Sequence, residues 1–347
     1  MHIRIGFCLA AFMVLSLGVF QAQASAPEPG ALAVYTTRTS EADAAAFAAF
    51  TKQTGIKVDV VAGKSSELVK QLEAERDTPI ADIFISVDGG VLDAVKRKGL
   101  LQPVTDARIL EQVPAALRDT DNHWVGLTTR ARVIVYAKDR VTPEQLSTYE
   151  DLADPKWKGK VVMRPGPALY NVSLMATLIE LDGEQVAAEW VKGVVANFAR
   201  EPKGGDRGQA KDIAAGKADL TLMNTYYIGR MLNGKDEAEK KVAESVGVFF
   251  PNQTTTGTHI NICGIGVTAK APNREAAEKF IAFLTDTGAQ SQLSAGNYEY
   301  PVNPKAKKAV LLESWGPFKA QAVDFAVMNT NNTKAKTLLA EGGWDGE

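Results

Sequence analysis

One phrase recurs along this chain: a short apolar run, a polar turn, then a capped amphipathic stretch. Residues 31–35 are an apolar run of strand length, and 36–39 make a polar turn. Ser40-Glu41-Ala42-Asp43 then opens a helix, with Ser40 as N-cap and an acid three residues on. Phe47 and Phe50 fall on one face of that helix, and Gly55 stops it. The phrase repeats. Residues 57–61 read as a strand, and Ser66-Glu67 starts a helix carrying Leu68, Val69 and Leu72 on one side. Residues 82–86 read as a strand, and 91–98 as a helix closed by Gly99. This alternation specifies an α/β fold with a mostly parallel sheet covered on both faces.

At 347 residues the chain exceeds what one core normally holds, so two domains are expected. Residues 124–129 and 132–137 read as two strands separated by Arg130-Ala131. A second α/β unit follows, with strands at 161–163 and 220–223 and helices at 171–181, 184–198 and 207–215. Gly204-Gly205-Asp206 caps the last of these helices. Strands at 246–250 and 258–267 and a helix at 274–284 complete the pattern.

Residues 1–24 read as a secretory signal peptide: Arg4, an apolar run over 5–20, and the small-x-small site Ala22-Gln23-Ala24. Residues 25–30 then form a short tether. No later stretch is long and apolar enough to span a bilayer. Cys8 departs with the leader, so Cys263 is left without a partner and is expected as a small buried hydrophobe. A composition of 45% hydrophobic and 23% charged residues excludes a disordered chain. A formal net charge of −2 argues against a dedicated nucleic-acid binder.

Catalytic signatures are sparse. His123 and His259 have no metal-type spacing with each other or with Cys263. Gly63-Lys64-Ser65 ends like a phosphate loop, but Val58 stands where its first glycine belongs. Gly264-Ile265-Gly266 lacks the third glycine of a dinucleotide fingerprint. No nucleophile–base pair is apparent, and the chain is not read as an enzyme.

In open α/β sheets ligands bind outside the carboxyl ends of strands. Three polar loops occupy such positions, at 36–40, 164–171 and 224–227. Tyr226-Tyr227 stands between a strand and a helix. One reading is core packing with a hydroxyl at a helix start. The other is a pair of hard phenolate donors for a strongly charged cation that displaces their protons. Tyr170, in another of these loops, would add a third donor. Arg38, Arg130 and Arg164 each read singly as surface charges; together they would cradle an anion.

Asn224-Thr225-Tyr226-Tyr227-Ile228-Gly229-Arg230 resembles the tyrosine-pair motif of periplasmic ferric ion-binding proteins, the solute receptors of bacterial iron ABC importers. Further segments agree in order, among them Val34-Tyr35-Thr36-Thr37-Arg38 and Leu169-Tyr170-Asn171. Gly296-Asn297-Tyr298-Glu299-Tyr300-Pro301-Val302-Asn303-Pro304 also agrees, and the likeness spans nearly all of the chain after the leader. The resemblance implies a type II periplasmic binding fold, with two lobes, crossover strands and a cleft between them. The lobes would be 31–125 with 252–305, and 126–251 with 306–347. It implies capture of Fe(3+) by the phenolates of Tyr170, Tyr226 and Tyr227, with a carbonate-like anion on Arg38, Arg130 or Arg164. It also implies a periplasmic monomer that delivers iron to an inner-membrane ABC permease and binds no nucleic acid. One departure stands out: where the family carries His, often followed by Tyr, this chain has Thr39 and Ser40. The first lobe then offers no ordinary ferric ligand there, and the alternative cargo is an iron chelate or a small organic anion.

Overall fold

The computed structural model describes residues 30–322 and 324–346. The leader and nearly all of the tether lie outside the described residues. Nine strands are present among the described residues. They are β1 (Leu32–Thr36), β2 (Val58–Ala62), β3 (Ile83–Ser86), β4 (Leu101–Gln102), β5 (Val125–Ala137), β6 (Leu220–Asn224), β7 (Val246–Phe249), β8 (Ile260–Thr268) and β9 (Tyr300–Pro301). The first lobe carries helices α1 (Glu41–Thr54), α2 (Ser65–Ala74), α3 (Gly89–Arg97) and α4 (Ala107–Gln112). The second carries α5 (Leu169–Asp182), α6 (Glu184–Ala196), α7 (Asp206–Ala214), α8 (Thr225–Leu232) and α9 (Glu237–Ser245). The chain then returns through α10 (Arg274–Leu284) and α11 (Thr287–Asn297), and ends in α12 (Val310–Ser314), α13 (Val327–Thr330) and α14 (Asn332–Glu341).

The α1 start follows from its sequence. The Ser40 hydroxyl accepts the Asp43 amide at 3.1 Å and the Asp43 carboxylate reaches back to the Ser40 amide, a complete capping box. Gly55 ends the helix at φ 75°, a left-handed turn that costs glycine nothing, and donates its amide to the Thr51 carbonyl. The inner face of α1 packs Phe47 and Phe50 edge-on to Phe280 of α10, with ring centroids 5.1 and 4.9 Å apart. Burying each such ring contributes about 2–3 kcal/mol.

Strand order along the main path is β2-β1-β3-β8-β5-β6. Parallel pairing between strands is confined to β2-β1-β3, and the pairs made by β5 and β8 are antiparallel. The sheet is therefore less parallel than the alternation suggests, because β5 and β8 cross between the lobes in opposite directions. The two strands expected at 124–129 and 132–137 are one. Arg130 and Ala131 stay extended, opposite Asn261 and Ile260 of β8. One residue later β5 changes partner, and Arg132 faces Asn224 of β6. Conversely, 161–163 makes only a bridge at Val161, before Pro165 and Pro167 turn the chain.

Each sheet has its own core. The first gathers Leu32, Val34, Phe50, Ile85 and Ile265, with Cys263 buried among them as expected. Burial pushes the Cys263 thiol up to about 11. The second gathers Trp157, Trp190, Trp344 and the apolar body of α5. Residues 171–179 of α5 are all buried, the mark of a helix enclosed by its lobe. Segment 306–347, read from sequence with the second lobe, touches both sides: Phe325 and Met328 join Trp124 and Leu92, while Leu338 and Trp344 join the second core.

Gly264 and Gly266 have a packing reason. A Cβ on Gly264 would stand 2.6 Å from Leu92 Cδ1, and one on Gly266 would stand 2.7 Å from the His123 carbonyl. These positions in β8 accept hydrogen only, in a strand rather than a nucleotide loop.

Candidate metal centre

Tyr226 and Tyr227 sit in the first turn of α8, directly after β6 ends at Asn224. Tyr170 sits in the first turn of α5. The two helix starts face each other, and the Tyr226 phenol donates to the Tyr170 oxygen at 3.0 Å. The Tyr226 and Tyr227 rings lie 4.4 Å apart at 38°. All three tyrosines line one cavity of about 270 Å³, shared with Thr39, Ser40, Arg130, Arg230 and Glu299. The three tyrosines thus converge on one cavity from two helices, and α5 is anchored by its buried body.

The surroundings of these phenols are cationic. The guanidinium carbons of Arg164, Arg130 and Arg132 lie 5.1, 5.7 and 5.9 Å from the Tyr170 ring centre. Arg230 lies 4.8 Å from the Tyr226 ring centre. Helix N-termini add partial positive charge on the same side. Burial and the neighbouring phenols push Tyr226 well above its ordinary value. Tyr227 is raised too, chiefly by burial, then by Tyr170 and Asp206. Both phenols are therefore neutral near pH 7.

A family model of bacterial extracellular solute-binding proteins matches residues 78–329. The chain is a bacterial extracellular solute-binding protein. Among relatives of this solute-binding protein, iron uptake protein A1 of Synechocystis is 45% identical over 311 residues, 90% of this chain and 86% of that protein. A Trichodesmium structure in complex with iron and citrate superposes with a TM-score of 0.87 at 43% identity, over 91% of this chain and 100% of the other. A ferric binding protein from Campylobacter jejuni superposes with a TM-score of 0.85 at 40% identity, over 90% of this chain and 99% of the other. The two-lobe binding-protein fold implied by the sequence resemblance is the fold observed.

The three expected arginines of this solute-binding protein differ in what they have to spare. Arg38 lines the cavity, but its Nη2 and Nη1 hold Asp43 at 2.7 Å and Glu299 at 3.0 Å. Arg164 holds Asp206 at 3.0 Å. Arg130 gives one nitrogen to the Val87 carbonyl, and its buried Nη1 has no hydrogen-bond partner among the described residues. Thr39 is exposed and Ser40 is engaged as a helix cap, so neither is arranged as a ligand.

Asp206, read from sequence only as part of a helix cap, is the first residue of α7 and does more than cap it. Fully buried, it accepts from Arg132 at 3.2 Å, from Arg164 and from the Asn224 amide at 3.1 Å. It thereby holds the end of β6 where the tyrosine pair begins. Arg230 and Glu299 lie inside the two quoted motifs, yet spacing alone gave no sign that they share a cavity. Among the described residues one acid–histidine cluster stands elsewhere, Asp119, Asp121 and His123. Its cation is Lys96, at 2.7 Å from Asp119 and 2.8 Å from Asp121.

Proposed function

We propose that this solute-binding protein captures ferric iron in the periplasm and delivers it to an inner-membrane ABC permease. The observation that carries the reading is the convergence of Tyr170, Tyr226 and Tyr227 on one cavity, with two phenol oxygens 3.0 Å apart. Three phenolates neutralise a trivalent ion and supply hard oxygen donors. The leader expected at residues 1–24 would export the protein to where such a receptor works, as a single chain.

Three tyrosines leave an octahedral ion short of donors. A carbonate-like anion on Arg130 fills part of the remainder, because the buried Nη1 of Arg130 lacks a hydrogen-bond partner among the described residues. Arg38 and Arg164 support the site from behind, through Asp43, Glu299 and Asp206. The same unpaired Nη1 favours a second reading, in which the cargo is an iron chelate or a small organic anion.

Titration of the purified protein with a ferric donor is expected to produce a visible tyrosinate charge-transfer band. The double variant Tyr226→Phe/Tyr227→Phe is expected to lose it. A spectrum unchanged on titration, with calorimetry detecting carboxylate binding instead, would transfer the assignment to the organic anion.

A further inference from the structure

Arg38, Asp43 and Glu299 form a buried cluster under the first-lobe wall of the cavity. Two carboxylates face one guanidinium there: Arg38 holds Asp43 at 2.7 Å and Glu299 at 3.0 Å. Thr128 donates to Glu299 at 2.9 Å and Asn297 donates to Asp43 at 3.3 Å, so the remaining bonds come from neutral groups. The cluster carries one negative charge in excess.

Across the cleft, Arg230 of α8 has no carboxylate of its own among the described residues. Its Nη2 donates to Asn297 Oδ1 at 3.4 Å, while the same Asn297 amide donates its other side to Asp43. Arg230 also lies over the ring of Tyr226 and lines the cavity with Glu299. The next residue back closes the approach. A Cβ on Gly229 would stand 2.4 Å from Tyr298 Cβ and Cγ. Tyr298 itself ends α11 in the left-handed region at φ 57°, an uncommon conformation for an aromatic residue. Backbone of one lobe therefore meets a side chain of the other with no room to spare.

We propose that Arg230 is a charge latch between the lobes. Closure brings its unmatched positive charge to the unmatched negative charge of the Arg38–Asp43–Glu299 cluster, with Asn297 as the bridge and the Gly229–Tyr298 contact as the seat. The latch deepens the iron-receptor reading and rests on it only for its cargo. It ties α8, which carries Tyr226 and Tyr227, to the first lobe, which lacks a ferric ligand at Thr39 and Ser40. The contact runs through buried Asn297, and a buried hydrogen-bonded charge contact acts mainly on the lifetime of the closed state.

The test uses small-angle scattering of the metal-free and iron-loaded protein, together with the rate at which a strong chelator strips iron. Arg230→Gln is expected to enlarge the radius of gyration and to speed stripping about tenfold, the scale of one modest polar contact. Arg230→Lys is expected to restore most of both. Gly229→Ala, which favours the helix but wedges Tyr298, is expected to open the cleft in the same sense. Scattering curves of Arg230→Gln and Gly229→Ala that superpose on the parent would overturn the latch. The scattering arm needs no metal, so it decides the latch even where no tyrosinate band develops, an outcome that would instead count against the iron reading.

Discussion

The phenol oxygens of Tyr170 and Tyr226 stand 3.0 Å apart, although 56 residues separate them in the chain. Each begins a helix, and each helix start is backed by buried charge. Hydrogen bonding between two neutral phenols is stable; two phenolates at that distance are not, unless a cation lies between them. A cation held by this pair would have to take the place of those protons.

Proton release follows directly. Tyr226 and Tyr227 are both raised above the ordinary phenol value, so near neutral pH they hold their protons. Under the proposed ligation, release of about two protons per ion, one each from Tyr226 and Tyr227, is expected in weakly buffered solution. Apparent affinity then rises with pH and falls in acid. A pH-stat titration counts the protons, and release of fewer than one would exclude phenolate ligation.

Buried His259 sets an acid limit on the fold. Its Nδ1 faces Gln321 Oε1 at 3.2 Å, and burial pushes it down to about 3. A base held below its unfolded value contributes full stability above about pH 6.5 and loses it as pH falls toward the folded value. The loss is about 1.4 kcal/mol per pH unit in that window. His259→Gln is expected to narrow the difference in melting temperature between pH 7 and pH 4.5. An unchanged difference would assign the acid sensitivity to other groups.

Asp206→Ala is expected to cost about 3–5 kcal/mol, because it strands the buried guanidinium of Arg132 and frees Arg164. Urea denaturation measures the loss. A cost below about 1 kcal/mol would mean that water replaces the carboxylate.

The repeated strand-and-helix phrase was legible because apolar periodicity records burial directly. Capping of α1 by Ser40 and Asp43 was legible for the same local reason. Where a charge is buried the pattern misleads. Arg130 broke one strand into two on paper, yet in the fold it lies 2% exposed in the middle of β5. The adjacent tyrosines announced themselves, whereas Asp206 and the Arg230–Asn297 contact, 67 residues apart, are products of tertiary packing with no local signature. The helices after residue 306 escaped notice because none starts with a side-chain cap; Ala309 and Ala326 precede α12 and α13, and Asn331 precedes α14 without capping it.

The continuity of β5 has a mechanical consequence. One strand belongs to both sheets and changes partner between Ala131 and Arg132, so rotation of the lobes turns about an axle made of backbone. Points on an axle scarcely travel. Arg130, one residue from the change of partner, would keep its place if the rims of the cleft swept apart, and an anion resting on it would mark the still centre of that movement.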